Sequence, residues 1–286
     1  MSARVALVTG GSRGVGRGVA TALADAGWDV FVTGRAAERL QSTVDAADGA
    51  PGRIRALECD HSRDEEILAV VTRIADETGR LDLLVNNAWT NPEGFVGFNG
   101  RFWERPTTDW DALMGVGLRA HYVASCEATK VMVPQGSGLM VNISSFGSRA
   151  PFHTVLYGMS KTALDKMAAD MAVELRGTGV SSISLWLGLI RTELLLSLGV
   201  DEFAGFSLAR AEDPEFVGRV ISRLAADPGL SDLSGRTLVT AELGSAYGIV
   251  NNDGTPPDSH RTAFGGGPLF PPPAEPAPAS DPERTP

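Results

Sequence analysis

The sequence predicts a doubly wound α/β fold: a parallel sheet of about seven strands with helices on both faces, in a single domain. Three observations carry this expectation. Short apolar runs alternate with helical patterns along most of the chain. Each run is bounded by Gly, Asp or Asn, the punctuation of short buried strands. A glycine-rich turn stands between the first run and the first helix, where a Rossmann-type sheet begins.

Each element follows from a local pattern. Val5-Ala6-Leu7-Val8 is the first strand, and an amphipathic stretch runs from Val15 to Ala26. Val30-Phe31-Val32 leads into a helix that reaches about Ala47. Ile54 to Cys59 precedes a charged helix over Asp64 to Glu77. Leu81 to Asn86, Leu139 to Ile143, Ile183 to Leu187 and Thr237 to Val239 are the remaining strands. Strands separated by helices form βαβ units, whose right-handed crossovers cover both faces of a mostly parallel sheet. The domain is expected over residues 1–250. From Asn251 to Pro286 the chain turns Pro- and Gly-rich, with Thr255-Pro256-Pro257, Gly265-Gly266-Gly267 and Pro271-Pro272-Pro273. Such composition buries too little apolar surface to offset its ordering entropy, so 251–286 reads as a disordered tail. The alternative is an arm docked on a neighbouring subunit.

Composition narrows the function. Of 286 residues 43% are apolar, enough for a sizeable core, and the net charge is −10. That charge argues against nucleic acid as a partner, because a phosphate-binding face needs clustered Lys and Arg. Cys59 and Cys126 read as buried free thiols of a reducing compartment. The N-terminus lacks a signal-peptide layout, and no apolar run approaches the ~20 residues of a membrane span. A soluble, cytoplasmic protein is expected. His61, His121 and His260 have no ligand-like spacing, so no metal site is expected.

Thr9-Gly10-Gly11-Ser12-Arg13-Gly14-Val15-Gly16 forms the glycine-rich turn. Here the backbone must turn tightly and approach a pyrophosphate, and the helix N-terminus offers free N–H groups and a positive dipole end. Gly10, Ser12, Arg13, Gly14, Val15 and Gly16 are therefore candidate cofactor residues. Three residues separate Gly10 from Gly14 and one separates Gly14 from Gly16, which departs from the commonest dinucleotide spacing.

Thr-Gly-x-x-x-Gly-x-Gly resembles the short-chain dehydrogenase/reductase family, and the resemblance extends over residues 4–245. It implies roles along the chain. Asp60, after the third strand, would bind the adenine. Asn87 and Ala88, in Asn86-Asn87-Ala88, would close the cofactor floor. Tyr157-Gly158-Met159-Ser160-Lys161 matches the family's Tyr-x-x-x-Lys. Gly188, Ile190 and Thr192 match the segment that contacts the nicotinamide. The stretches Phe102-Trp103-Glu104, Gly117 to Tyr122 and Tyr157 to Leu195 resemble one dehydrogenase/reductase member of the family in particular. The family's usual dimers and tetramers imply a homodimer or homotetramer pairing the helices that carry Tyr122 and Tyr157.

The cofactor expected is NADP(H), with NAD(H) as second choice. An NAD site usually places a carboxylate after the second strand to hold the ribose 2′-hydroxyl. Here that place reads Thr33-Gly34-Arg35. Arg35 can pair with a 2′-phosphate, and Arg13 supplies a second charge.

Carbonyl reduction needs a hydride on one face and a proton for the developing alkoxide. Tyr157 is the candidate acid. Lys161, one helical turn on, shares its face and is expected to lower the phenol pKa. Only three of the 25 basic side chains are Lys, so an ammonium is used where a guanidinium cannot substitute. Ser145 is expected to hold the substrate oxygen. Ser144 competes for that role: it stands 13 residues before Tyr157, the family's usual spacing, and Ser145 stands 12 before. In the family the second Ser of Asn-Ile-Ser-Ser is normally the catalytic one, which favours Ser145.

Three departures from the family stand out. The catalytic Asn position falls on Gly117, Leu187-Gly188 replaces Pro-Gly, and Trp89 replaces the Gly after Asn-Asn-Ala. The segments Trp89 to Trp103, with Phe95 and Phe98, and Thr192 to Phe206 are apolar and are expected to flank a hydrophobic small-molecule carbonyl or alcohol. His153, between Ser145 and Tyr157, reads as a structural side chain. The rival function is a degenerate NADPH-binding protein without turnover, for which the missing Asn speaks. Ser145, Tyr157 and Lys161 speak against it.

Overall fold

A computed structural model of the chain describes residues 3–90, 101–151 and 153–265. Strand β1 (Val5–Val8) is followed by helix α1 (Gly14–Asp25), β2 (Asp29–Gly34), α2 (Ala37–Asp45), β3 (Arg53–Glu58), α3 (Asp64–Thr78) and β4 (Leu83–Asn86). A π-helical stretch, Asp111–Arg119, runs directly into α4 (Ala120–Gln135). Then come β5 (Gly138–Ser145), α5 (Val155–Glu174), β6 (Val180–Leu187) and α6 (Glu193–Leu196). A small antiparallel hairpin, β7 (Glu202–Phe203) with β8 (Phe206–Ser207), precedes α7 (Pro214–Leu224), α8 (Leu230–Leu233), β9 (Thr237–Val239), α9 (Thr240–Tyr247) and α10 (Arg261–Phe264).

The main sheet has seven parallel strands in the order β3-β2-β1-β4-β5-β6-β9. The expected doubly wound sheet is therefore present. Its central strands are apolar at successive positions because both faces are covered. In β1, Ala6 and Val8 face a core with Val19 and Leu23 of α1 and Phe216 and Val220 of α7. Val5 and Leu7 face the opposite core, with Ile67 and Ile74 of α3 and Ala124 and Ala128 of α4. Truncating a leucine or phenylalanine in such a layer to Ala costs about 2–5 kcal/mol.

The parallel topology delivers every strand's C-terminal end to one edge of the sheet, and the order reverses between β1 and β4. Ligands of such sheets bind in the crevice at this switch point. Gly10, Arg35, Asp60, Asn87, Ser145 and Gly188 all lie at or just beyond these ends.

Residues 251–265 pack against the domain, past the boundary expected at 250. The Asn251 side-chain amide donates to the Ala211 carbonyl at 2.9 Å, and its carbonyl accepts from the Asp213 amide at 2.9 Å. Phe264 packs with Phe146 and Trp186. The polar anchors and aromatic side chains of this stretch offset the ordering cost that its Pro and Gly content suggests. The Pro-rich stretch 266–286 lies outside the described residues, as do Phe95 and Phe98. No helix among the described residues is long and apolar enough to cross a membrane. Cys59 is buried, whereas Cys126 is only partly covered; both are free thiols.

Candidate active site

The glycine-rich turn gains its shape from positions where a side chain has no room. Gly10 has φ +70°, and a Cβ there would stand 2.8 Å from the Ala88 Cα. Gly14 has φ +53° and opens α1. The turn is tied to the end of β4 on the other side of the crevice. The Asn87 side-chain amide donates to the carbonyls of Thr9 (2.9 Å) and Gly10 (3.1 Å). Thr9 Oγ1 accepts from the amides of Asn87 (2.9 Å) and Ala88 (3.0 Å). Ser12 lies over the end of β2, its Oγ 3.4 Å from where a Cβ of Gly34 would stand. Arg13 and Arg35 are exposed on this side. Hydrogen bonds from the Ser62 amide and hydroxyl, with the Arg35 charge nearby, hold Asp60 below the usual carboxylate range.

Above the turn, the Thr192 Cγ2 lies 3.4 Å from where a Cβ of Gly14 would stand. The next residue contributes a carboxylate that the sequence reading passed over. Glu193 Oε2 accepts from the Gly14 amide at 3.0 Å, and its Oε1 is 3.9 Å from Arg17 Nη1. An anionic oxygen thus sits at the N-terminus of α1, where free amides and the helix dipole favour one.

At the far side of the crevice, β5 ends at Ser145 and α5 begins ten residues later at Val155. Thr154 caps α5 by accepting from the Tyr157 amide. Tyr157 OH and Ser145 Oγ are 2.9 Å apart. Ser144 points away and donates to the Lys161 carbonyl at 3.3 Å. The geometry therefore joins Ser145, and not Ser144, to the tyrosine. Lys161 Nζ donates to the Ile143 carbonyl at 2.9 Å and lies 5.5 Å from the Tyr157 ring centre.

The expected lowering of the Tyr157 pKa is not seen. Burial pushes Tyr157 up to about 12, against the opposing effect of the Ser145 hydrogen bond. Burial also pushes Lys161 down to about 8, against Asp165 nearby. The Lys161 ammonium is drawn to the Ile143 carbonyl, and desolvation of the phenolate outweighs the Ser145 hydrogen bond. Asp165 is itself buried and accepts hydrogen bonds from Ser184 Oγ and from Trp186 Nε1.

Two aromatic walls flank the phenol. Trp89 stands edge-on to Tyr157 with ring centres 6.0 Å apart. His153 does the same at 4.4 Å, and burial, then the Lys161 charge, pushes it down to about 4. His153 thus faces the tyrosine. Leu194 and Leu196 are exposed beside Thr192, whereas Leu195 is buried. Phe206 packs on His260 and Phe264. Phe102 lines a shallow apolar cleft of about 390 Å³ with Trp110, Val155 and Leu156.

Residues 4–202 match the short chain dehydrogenase family model. The chain belongs to the short-chain dehydrogenase/reductase family. Within the family it is 39% identical to "Dehydrogenase/reductase SDR family member 1" of Mus musculus and 40% identical to that of Homo sapiens. Each alignment covers 90% of this chain and 85% of the relative. A solved short-chain oxidoreductase from a metagenome, in complex with NADP, superposes with a TM-score of 0.67 at 29% identity, covering 79% of this chain and 92% of that one. A short-chain type dehydrogenase/reductase from Mycobacterium marinum gives 0.71 at 25% identity, covering 83% and 94%. As a short-chain dehydrogenase/reductase, the protein is an NAD(P)-dependent oxidoreductase. Among the described residues there is no group of three or more His, Cys, Asp or Glu placed to hold a metal ion.

Proposed function

We propose that the protein interconverts a carbonyl and a secondary alcohol on a small hydrophobic substrate, using NADP(H). The observation that carries this reading is the 2.9 Å approach of Ser145 Oγ to Tyr157 OH at the sheet edge that also bears the glycine-rich turn. The turn fits a dinucleotide: its glycines leave room for the backbone to approach a pyrophosphate, and α1 already holds an anionic oxygen at Gly14. Gly10, Ser12, Arg13, Gly14, Val15 and Gly16 would hold the pyrophosphate side. Arg35, with Arg13, would face a 2′-phosphate, and Asp60 the adenine. Asn87, Ala88, Ile190 and Thr192 would line the nicotinamide end. When bound, the nicotinamide supplies or takes up the hydride.

The chain's own groups handle the proton. Tyr157 OH donates to the developing alkoxide, and in the reverse direction it is the phenolate that accepts the alcohol's proton. Ser145 Oγ, within hydrogen-bond reach of the same point, steadies the substrate oxygen. The phenol's high pKa keeps it protonated and able to donate at neutral pH. Lys161, four residues on, restrains the position of Tyr157 and offers an ammonium to the ribose hydroxyls. Trp89 and His153 present ring edges that favour a flat, apolar substrate. A homodimer joined through α4 and α5 would cover the exposed Tyr122, Val155 and Met159.

The test is NADPH consumption over a broad panel of ketones and quinones, comparing wild type with Tyr157→Phe. Positioned acid catalysis contributes about 10²–10⁴-fold, so the Phe variant should lose nearly all turnover and still bind NADPH. If wild type exceeds the Phe variant on no substrate, the reductase reading fails and a non-catalytic NADPH binder replaces it.

A further inference from the structure

We propose that Glu212 and His260 form a two-sided clamp that positions the segment Gly188 to Thr192, so that the stretch 251–265 is a working part of the cofactor site. The inference rests on the proposed reading that this segment contacts the nicotinamide.

The family's Pro-Gly after the sixth strand is Leu187-Gly188 here, so the chain lacks the ring that would fix φ at the turn. Two side chains take hold of the turn in its place. The Gly188 amide donates to Glu212 Oε1 at 2.9 Å, and the Leu189 amide donates to His260 Nε2 at 3.2 Å. A Cβ at Gly188 would stand 2.7 Å from His260 Cδ2 and 3.0 Å from Glu212 Oε1. The turn is thus gripped between the two residues with no room for a side chain. The backbone of Glu212 continues the grip. Its amide donates to the Leu189 carbonyl at 2.8 Å, and its carbonyl accepts from the Arg191 amide at 2.9 Å.

His260 is held in place from several directions. Its ring lies edge-on to Phe206 at 4.3 Å and to Phe146 at 6.2 Å. On one side, Asp258 pairs with Arg210 at 2.7 Å. On the other, Arg261 pairs with Glu242 at 2.6 Å. Glu212 is 1% exposed and receives Thr240 Oγ1 at 2.6 Å. Its Oε2 has no hydrogen-bond partner among the described residues. A buried carboxyl with one oxygen unsatisfied is costly unless it serves a purpose, and the contacts of Oε1 point to the turn.

The clamp has a chemical condition. His260 accepts the Leu189 N–H through Nε2, so that nitrogen must be unprotonated. Protonation would turn the acceptor into a donor and open one jaw. The charged groups around the ring are Glu212 across the turn, Asp258, Arg210 bound to Asp258, and Arg261 bound to Glu242. Burial lowers the His260 pKa, and Asp258 opposes this. The jaw is therefore closed at neutral pH.

The test uses the full chain in three forms: wild type, His260→Leu and His260→Gln. Leu removes the acceptor. Gln keeps a carbonyl oxygen near the same point. Amide hydrogen exchange of the peptide spanning 187–193 is measured without cofactor at pH 7.5, as protection relative to the unstructured rate. NADPH dissociation constants are measured by fluorescence at the same pH, with melting temperatures confirming folding. His260→Leu should lose protection in this peptide and bind NADPH about tenfold more weakly, as for a buried amide left unpaired. His260→Gln, which keeps an acceptor, should retain both. Wild-type behaviour of His260→Leu, or a loss in His260→Gln as large as in His260→Leu, would overturn the clamp. If wild type binds no NADPH, the cofactor reading falls, and the exchange result alone decides the clamp.

Discussion

The indole of Trp89 occupies the space beside Gly117: its Cδ1 lies 3.3 Å from where a Cβ at Gly117 would stand. The two departures from the family are therefore one exchange of volume. A large ring at 89 fills the site where a side chain at 117 would begin. Restoring the family's residue alone should strain this contact. Gly117→Asn is expected to cost about 1–3 kcal/mol, as overpacking does, and to lower the melting temperature by several degrees. Trp89→Gly combined with Gly117→Asn should recover much of that loss. A single Gly117→Asn variant as stable as wild type would refute the exchange.

Glu193 competes with the cofactor for the N-terminus of α1. Its carboxylate accepts from the Gly14 amide, and a pyrophosphate approaching the turn would have to displace it against like charge. Glu193→Gln keeps an oxygen acceptor and removes the charge. Charges at a helix N-terminus contribute about 0.3–1 kcal/mol, so NADPH affinity should rise about two- to fivefold, more at low salt than at high. A fluorescence titration at two salt concentrations checks this. Unchanged affinity would mean that the carboxylate leaves the site at no cost.

Arg35 stands after β2 where an NAD site would carry an acid. Arg35→Ala should weaken NADPH binding about tenfold and leave NADH nearly unchanged, since a charge-assisted hydrogen bond contributes about 1.5–3 kcal/mol. The ratio of the two dissociation constants is the measurement. Equal loss for both cofactors would remove the 2′-phosphate assignment.

Glu212 links stability to pH. Burial pushes its carboxyl up to about 7, above its value in the unfolded chain. The folded state therefore binds more protons between the two values, and stability falls as pH rises through that window. Each pKa unit corresponds to about 1.4 kcal/mol. Glu212→Gln keeps the oxygen that receives Gly188 and has no charge to bury. Wild type should lose more melting temperature than the Gln variant between pH 5 and pH 8. Parallel pH curves for the two proteins would show that Glu212 does not titrate in this range.

The sheet was legible because its signal is local. Apolar runs such as Val5 to Val8, closed by Gly, Asp or Asn, give strands wherever both faces are covered. The glycine spacing between Gly10 and Gly16 placed the turn, and Tyr157 with Lys161 share a helix face because four residues make about one turn. Such features need only neighbours in the chain.

What the sequence could not decide depends on distant partners. Spacing points to Ser144 and the family's pattern to Ser145, and the direction of each side chain at the end of β5 decides between them, because adjacent strand residues point to opposite faces. Only Ser145 meets Tyr157. The Tyr157 pKa is set by burial, which no spacing reveals. Gly117 and Trp89 stand 28 positions apart in the chain and read as unrelated departures until packing puts them in contact. Composition alone made residues 251–265 a loose tail. The fold brings Asn251 to Ala211, His260 to Leu189 and Phe264 to Phe146, because hydrogen-bond partners and aromatic faces far back in the sequence supply what the segment lacks by itself.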